Sequence, residues 1–317
     1  QIDVSQQFIP SVWEMSLEKD LPVHTWYDDI PYHVPGAIPC LFINHTRKPM
    51  DDVNFRRALA YAINYERIPP IAVSGYSDVV NSSLVLPSEK EYFSQDEIEK
   101  YGWEYNPKKA EQILQEAGYK KGSDGFYRMP DGSRLRLKLE CPYGWTDWMV
   151  TLKIVAQSAQ KIGLDIRTEF PDFGPLFDRM QNGDFDLTMW MPAGYLSPAQ
   201  PWARFQFIMY SKDIGPVGEL AFRNYGRYRN PAADALIERT AAQTSEEARI
   251  AGIRELDRIF MKDIPVIPLV YRPWLFHTWN ETYWTGFPSA KDPYAPPQNC
   301  EVGAGVRALF KIKPVSK

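Results

Sequence analysis

Alternating hydrophobic and polar residues predict three strands in the middle of the chain, at 135–141, 164–170 and 185–190. Two segments with helical spacing of apolar residues, 148–162 and 175–182, lie between these strands. The order strand, helix, strand, helix, strand is typical of a parallel sheet with right-handed crossovers. The pattern therefore predicts an α/β fold with a mostly parallel sheet.

The loops after these three strands form the predicted binding region. They cover 142–147, 171–174 and 191–202. In open parallel sheets, ligands bind outside the carboxyl ends of the strands. We therefore expect the three loops to meet at one edge of the sheet.

An amphipathic helix is predicted over 51–68, directly after an apolar strand at 41–44. Asp51 or Asp52 can cap its first turn, where a negative charge is favourable. Apolar residues then recur at helical spacing, so one face of this helix is expected to pack in the core.

Other segments complete the predicted outline. Residues 1–40 are rich in proline and aromatic residues and are expected to form an extended connection. Residues 264–271 are extended and interrupted by proline, which disfavours a helix there. The apolar run 306–312 is predicted to be a short strand. Further helices are predicted at 107–117, 230–240 and 245–261.

Composition narrows the class of protein. The 317 residues are 44% hydrophobic, which is enough for a packed core. The net charge of −4 argues against nucleic acid or an anionic membrane surface as the main partner. No apolar segment approaches the roughly 20 residues that span a bilayer. The chain begins at Gln1 without a leader segment, so we expect it to be processed, excised or truncated.

The cysteine and histidine residues give no sign of a metal or cofactor site. Cys40, Cys141 and Cys300 are far apart, and the four histidines form no ligand pair. We expect three isolated thiols, with a single disulfide as the alternative. The sequence predicts no cofactor and no bound metal.

Aromatic residues make up 14% of the chain, and several lie in the predicted loops. The first loop contains Tyr143, Gly144 and Trp145, with Trp148 just after it. These rings either cap the sheet edge structurally or form a stacking surface for a ligand. Flat rings suit the apolar faces of pyranose sugars, while neighbouring polar groups bind the hydroxyls.

The third loop supplies a second group of candidates on the same predicted edge, and two further tryptophans are expected to approach from the ends of the chain. The predicted ligand-binding residues are Tyr143, Gly144, Trp145, Trp148, Trp190, Met191, Pro192, Gly194, Trp202, Trp13 and Trp274.

The segment from Lys48 to Ile68, together with Phe42-Ile43-Asn44 before it, closely resembles the signature helix of the family-5 extracellular solute-binding proteins. These are the dipeptide/oligopeptide-type receptors of bacterial ABC importers. Ile267–Tyr271 is also similar to the family's return strand. The resemblance implies a lobe of the periplasmic-binding-protein type II fold. It also implies a monomeric, non-enzymatic receptor outside the cytoplasm that delivers its ligand to a membrane permease.

The resemblance also implies a division of the chain into parts. Residues 1–40 would be the end of the first lobe and a hinge, and 41–263 the C-terminal ligand-binding lobe. Residues 264–317 would be the return hinge and the remainder of the first lobe. The N-terminal part of that first lobe, which would be the other half of the pocket, is expected to be missing from the chain. This chain alone is then expected to bind weakly or not at all.

The third loop bears on the choice of ligand. In peptide-binding members it reads Ala-Asp-Tyr-x-x-Pro, and the Asp pairs with the α-ammonium of the peptide. Here Gly183–Asp186 matches the preceding strand, but the loop reads Ala193-Gly194-Tyr195. A buried ammonium without a partner costs several kcal/mol. The resemblance therefore favours a neutral β-linked gluco- or manno-oligosaccharide.

Two alternatives remain open at this point. The first keeps the receptor and changes its ligand to a peptide, an opine or a nickel chelate. The second is a glycoside hydrolase, which needs two carboxyl groups at a set separation. Its candidate acids are Glu140, Asp147, Asp172 and Asp178.

Overall fold

The computed structural model describes residues 3–193, 201–273, 277–295 and 303–315. The strands are β1 Val4–Ser5, β2 Val23–His24, β3 Pro35–Ala37, β4 Cys40–Ile43, β5 Lys120–Lys121, β6 Tyr127–Arg128, β7 Leu137–Glu140, β8 Ile166–Glu169, β9 Leu187–Trp190, β10 Val266–Pro268, β11 Arg272–Pro273, β12 Thr278–Asn280, β13 Trp284–Thr285 and β14 Lys313–Pro314. The α-helices are α1 Val12–Glu18, α2 Val53–Ala62, α3 Ile68–Ala72, α4 Gln95–Tyr101, α5 Pro107–Glu116, α6 Thr146–Ile162, α7 Phe173–Asn182, α8 Pro201–Met209, α9 Pro231–Ala241, α10 Glu246–Asp263 and α11 Gly303–Leu309, and a 3-10 turn covers Tyr65–Arg67.

The main sheet has five strands in the order β10-β4-β9-β7-β8. Strand β7 pairs in parallel with both β8 and β9, which confirms the predicted parallel unit. Strand β4 is antiparallel to β9 and to β10. The sheet is therefore mixed. Four of its strands run in the same direction and β4 runs in the opposite one, so two of the four strand pairs are parallel and two are antiparallel.

The helices of the parallel unit end where the sequence supplies glycine. Gly163 after α6 and Gly183 after α7 have φ values of 96° and 73°, in the left-handed region that glycine adopts without strain. Backbone N–H groups of both glycines donate to carbonyls in the last helical turn. Each helix therefore stops a few residues before the strand that follows it.

Helix α2 confirms the predicted cap but is shorter than predicted. The Asp52 carboxylate accepts a hydrogen bond from the Asn54 N–H at 2.8 Å, as expected for an N-cap residue. The helix ends at Ala62 rather than Ile68. Tertiary partners occupy its last carbonyls, because Tyr65 Oη donates to the Ala60 oxygen and the Asn106 N–H donates to the Tyr61 oxygen.

The two ends of the chain pair with each other. Strand β12 lies between β1 and β2, and β11 pairs with β3. Residues 1–40 also contain helix α1, so the expectation of an extended connection was wrong over Val12–Glu18. Strand β10 extends the main sheet, although it follows the domain boundary predicted at 263.

The predicted strand at 306–312 is also wrong. Helix α11 covers Gly303–Leu309. Val306, Leu309 and Phe310 are spaced three and four residues apart, which is a helical period that a short apolar run does not distinguish from a strand.

The described residues bear on the predictions about membranes, metals and thiols. None of the described helices is long and apolar enough to cross a membrane. Within the same ranges, no group of three or more potential ligand side chains could hold a metal ion. Cys40 and Cys141 are buried free thiols, and Cys300 lies outside the described residues.

A buried carboxylate joins helix α10 to the segment that precedes α4. Asp257 accepts hydrogen bonds from the Ser83 hydroxyl at 2.6 Å and from the Leu84 N–H at 3.1 Å. Burial raises the pKa of Asp257 to about 6, against the opposing effect of nearby Arg204 and with a smaller raising effect from Glu97. The folded protein therefore holds this proton more tightly than the unfolded chain does.

This pKa predicts a pH dependence of stability. Because folding raises the pKa of Asp257, protonation of this carboxyl stabilises the folded protein. That stabilisation is fully present below the pKa that Asp257 has in the unfolded chain, and it is lost as pH rises through about 6. We expect the free energy of unfolding to fall by up to about 3 kcal/mol between about pH 4 and pH 7. Asp257→Asn keeps acceptor and donor groups at this site and should flatten this slope. Urea unfolding across that pH range measures the free energy of unfolding. Asp20→Asn, at an exposed position, is the control. If the pH dependence in Asp257→Asn equals that of the original protein, the buried Asp257 carboxyl is not its cause.

Candidate functional site

The carboxyl ends of β7, β8 and β9 define one edge of the main sheet, where the predicted loops begin. The first two loops are in direct contact, because the Tyr143 N–H donates to the Pro171 oxygen at 2.8 Å. The third loop is described as far as Ala193, directly after Met191 and Pro192. The topology therefore brings the start of all three loops to one place, as predicted.

Three aromatic rings at this edge lie close together and nearly parallel: Trp145 of the first loop, Phe173 of the second loop and Trp190 at the end of β9. The ring centroids of Trp145 and Trp190 are 5.8 Å apart with an interplanar angle of 21°. Phe173 lies 5.9 Å from Trp145 at 25° and 6.1 Å from Trp190 at 29°. Phe177 continues the group, stacked on Phe173 at 5.5 Å. We call Trp145, Phe173, Phe177 and Trp190 the ring cluster.

The ring cluster is partly open to solvent. Phe173 is 47% exposed, and neighbouring Tyr143 is 69% exposed. Trp145, Phe177 and Trp190 are half-buried. Exposed aromatic surface of this kind is characteristic of interaction sites.

Trp148 holds the ring cluster from its buried side. Its ring meets Trp145 edge-on at 4.7 Å and 78°, and Trp190 at 5.9 Å and 85°. Trp148 is only 2% exposed, and its indole N–H has no hydrogen-bond partner among the described residues. Trp148 therefore supports the rings that a ligand can reach and is not itself accessible.

Two of the candidate acids beside the ring cluster are held in ion pairs. Glu140 accepts two hydrogen bonds from Arg179, at 2.6 Å and 3.2 Å, and is 1% exposed. Asp147 accepts one from Arg272 Nε at 2.6 Å and is 5% exposed. The bond to Glu140 raises the pKa of Arg179, so the guanidinium stays protonated. Both carboxylates therefore serve the fold, and Asp147 joins the start of α6 to strand β11.

The thiol of Cys141, next to Glu140, is expected to be unreactive. Cys141 is buried, and burial raises its pKa to about 12. A thiol with so high a pKa is neutral at physiological pH and is a poor nucleophile.

The other predicted site residues have varied positions. Gly144 has a φ of 85°, so it forms the turn between Tyr143 and Trp145 that glycine makes without strain. Trp202 lies in α8, where its indole N–H donates to the Ile237 oxygen at 3.0 Å. Gly194 and Trp274 lie outside the described residues.

Trp13 lies in a different aromatic group. Its ring stacks on Tyr32 at 5.3 Å, and its indole N–H donates to His33 Nε2 at 3.3 Å. Burial lowers the pKa of His33 to about 3, which keeps this nitrogen an acceptor. None of the described ring contacts connects Trp13 to the ring cluster, so its role in ligand binding stays a prediction.

Sequence reasoning did not single out Phe173 and Phe177. Both lie on α7, four residues apart, so they share one face of that helix. Phe173 lies in the predicted second loop and Phe177 follows it, so their position directly after β8 could have identified both as candidates.

Comparison with known proteins identifies the family. Residues 1–215 match the family described as bacterial extracellular solute-binding proteins, family 5 Middle. The chain therefore belongs to family 5 of the bacterial extracellular solute-binding proteins.

Solved structures agree with this assignment. A periplasmic oligopeptide-binding protein of an oligopeptide ABC transporter from Thermotoga maritima, solved with bound mannohexaose, is 32% identical with a TM-score of 0.89. That match covers 99% of this chain and 58% of the other. AppA from Bacillus subtilis, solved with a nonapeptide, has a TM-score of 0.71 at 21% identity, over 92% of this chain and 54% of that protein, and shows the shared fold alone.

Curated relatives are more distant. The probable peptide-binding protein YejA from Agrobacterium fabrum is 23% identical over 82% of this chain and 47% of its own length. The dipeptide-binding protein of Escherichia coli is 30% identical over 49% of this chain and 27% of its own length. The chain thus spans less than half of each of these relatives.

The Asp147–Arg272 pair predicts a stability effect. Asp147→Asn removes a buried negative charge from contact with the guanidinium, so we expect the free energy of unfolding to fall by about 3 kcal/mol. Urea unfolding measures the change. The control is Asp178→Asn, an exposed position on α7 where a change within about 0.5 kcal/mol is expected. Equal effects of the two substitutions would show that the ion pair does not stabilise the fold.

Proposed function

We propose that this chain is the ligand-binding part of a periplasmic or extracellular receptor for a bacterial ABC importer. We further propose that its ligand is a neutral oligosaccharide, most simply a β-linked gluco- or manno-oligosaccharide. The observation that carries the proposal is the ring cluster, with accessible Phe173 and Tyr143 at the carboxyl edge of the sheet.

The geometry of the ring cluster suits a sugar. The stacked rings form an ordered apolar surface, and its accessible part at Phe173 and neighbouring Tyr143 can meet the C–H face of a pyranose unit. Such sites combine apolar walls with a few placed polar groups, which here would bind hydroxyls.

The charges beside the ring cluster favour a neutral ligand over a peptide. Glu140 and Asp147 are already matched by arginines. Asp172 and Asp178 are exposed to water, where attraction to a ligand ammonium is weak. The sequence also has Gly194 where peptide-binding members have the Asp that meets the α-ammonium.

The comparisons support the receptor class more strongly than the sugar ligand. Family membership supports the receptor and its permease partner. The mannohexaose-bound neighbour supports the sugar, while the two curated relatives described above are a probable peptide-binding protein and a dipeptide-binding protein. A peptide is therefore the second candidate ligand.

In this proposal the ligand binds between two lobes and favours the closed form, which the permease recognises. A ligand shifts such an equilibrium only by its differential affinity for the closed state. The pairing of β3 with β11 brings the two predicted hinge segments together, and Arg272 of β11 contacts Asp147 beside the ring cluster. Movement of the hinge strands and the position of the aromatic loop would thus be coupled.

Ligand titration tests the proposal directly. We expect mannohexaose or a cello-oligosaccharide to bind this chain, and a short peptide to bind more weakly, in saturation-transfer NMR that detects weak complexes. Binding of the peptide with no binding of either sugar would overturn the choice of ligand and leave the receptor class standing. Chromatography of the same mixtures should show intact sugar; shorter products would favour a hydrolase instead.

Two substitutions test the ring cluster. Trp145→Ala and Phe173→Ala each remove a stacking surface and should weaken sugar binding by about 1–3 kcal/mol. Phe310→Ala is the matched control, because Phe310 is 85% exposed and lies after α11, outside the ring cluster. Unchanged affinity in Phe173→Ala and Trp145→Ala would remove the ring cluster from the site.

A further inference from the structure

A second group of side chains lies at the opposite edge of the main sheet. Asp165 precedes β8, and its carboxylate is contacted by three guanidinium groups. Arg136 Nε and Arg167 Nε are each 2.9 Å from a carboxylate oxygen, and Arg134 Nη2 is 3.5 Å away. Arg136 and Asp165 precede the first residues of β7 and β8, so the group lies at the amino end of these strands, away from the ring cluster.

The three arginines have hydrogen-bonding capacity left over. Each guanidinium carries five N–H donors, and each uses one nitrogen to contact Asp165. No other hydrogen-bond partner of these three guanidinium groups occurs among the residues that the structure describes. Their side chains are 45–56% exposed, while the Asp165 side chain is 3% exposed. A buried carboxylate thus positions three accessible cations.

A groove of about 450 Å³ lies next to this group, between α6 and β8. Arg167 lines it together with Lys153, Gln157, Gln160 and Thr168. Lys153 has no ion-pair partner within the described ranges. The groove therefore offers several hydrogen-bond donors beside the arginines.

The local charge is strongly positive although the whole chain has a net charge of −4. Three arginines contact the single carboxylate of Asp165, and Lys153 lines the same groove as Asp165 and Arg167. Nearby Lys138 is matched by Glu169 and Arg128 by Asp124, so those pairs do not change the balance. Among the residues that the structure describes, no second carboxylate forms an ion pair with any of these four cations.

We propose that this arginine group and the adjacent groove bind an anion of the phosphate type. Guanidinium groups recognise phosphate oxygens through planar, charge-assisted hydrogen bonds. Asp165 acts as a positioning residue, because it restrains the three side chains before the anion arrives and so reduces the entropy lost on binding. The phosphate would belong either to a soluble metabolite or to the headgroup of an anionic phospholipid.

The test measures binding of inorganic phosphate by calorimetry, and of vesicles of phosphatidylcholine with or without phosphatidylglycerol by co-sedimentation. We expect phosphate, phosphatidylglycerol vesicles or both to bind, with affinity falling as salt is raised. Phosphate alone identifies a soluble ligand, and phosphatidylglycerol vesicles without free phosphate identify a headgroup. Binding of neither probe, or binding of an acidic peptide in their place, would overturn the proposal.

Variants locate the site. Arg134→Gln removes the most distant of the three contacts to Asp165, so it should leave the fold intact and weaken binding at least about fivefold. Lys153→Gln removes the cation of the groove and should act in the same direction. Lys108→Gln on α5 removes one exposed charge elsewhere and serves as the matched control. Thermal unfolding confirms that each variant is folded, and equal binding by Arg134→Gln, Lys153→Gln and the control would overturn the proposal.

Discussion

Parallel pairing of β7 with both β8 and β9 is the constraint on which the rest of the structure depends. It directs the carboxyl ends of three strands to one edge, where the loops after β7 and β8 place Trp145 and Phe173 within about 6 Å of each other and of Trp190 at the end of β9. The same pairing places the amino ends of β7 and β8 side by side at the other edge, where Arg136 and Arg167 meet Asp165. One arrangement of backbone hydrogen bonds therefore creates two chemically opposite surfaces, one aromatic and one cationic.

The two surfaces differ in how their charged side chains are paired. At the aromatic edge the two buried carboxylates are paired with arginines, and the other two candidate acids, Asp172 and Asp178, are exposed to water. At the cationic edge one carboxylate meets three guanidinium groups, so positive charge remains. The first environment suits an uncharged ligand with apolar faces, and the second suits an anion.

The parallel unit was predictable from sequence because period-two strands alternate there with helical segments and glycine ends both helices. The family was predictable from the Lys48–Ile68 segment. Other features depend on tertiary contacts that local patterns do not contain: the N–H of distant Asn106 donates to the Tyr61 carbonyl where α2 ends, and β4 runs antiparallel to both of its neighbours in the sheet. Phe173 was missed because its importance comes from contact with two other loops. Trp148 was predicted as a binding residue, yet the structure buries its ring beneath the ones that a ligand can reach.

NMR of the indole N–H groups during titration with mannohexaose tests most directly whether the ring cluster is a sugar-binding surface. We expect the Trp145 and Trp190 resonances to shift with sugar concentration while those of Trp103 and Trp202 stay in place. Trp103 is buried and donates its indole N–H to Tyr65, and Trp202 donates to a helix carbonyl, so both serve as internal references. Unshifted Trp145 and Trp190 resonances at saturating sugar would contradict the account.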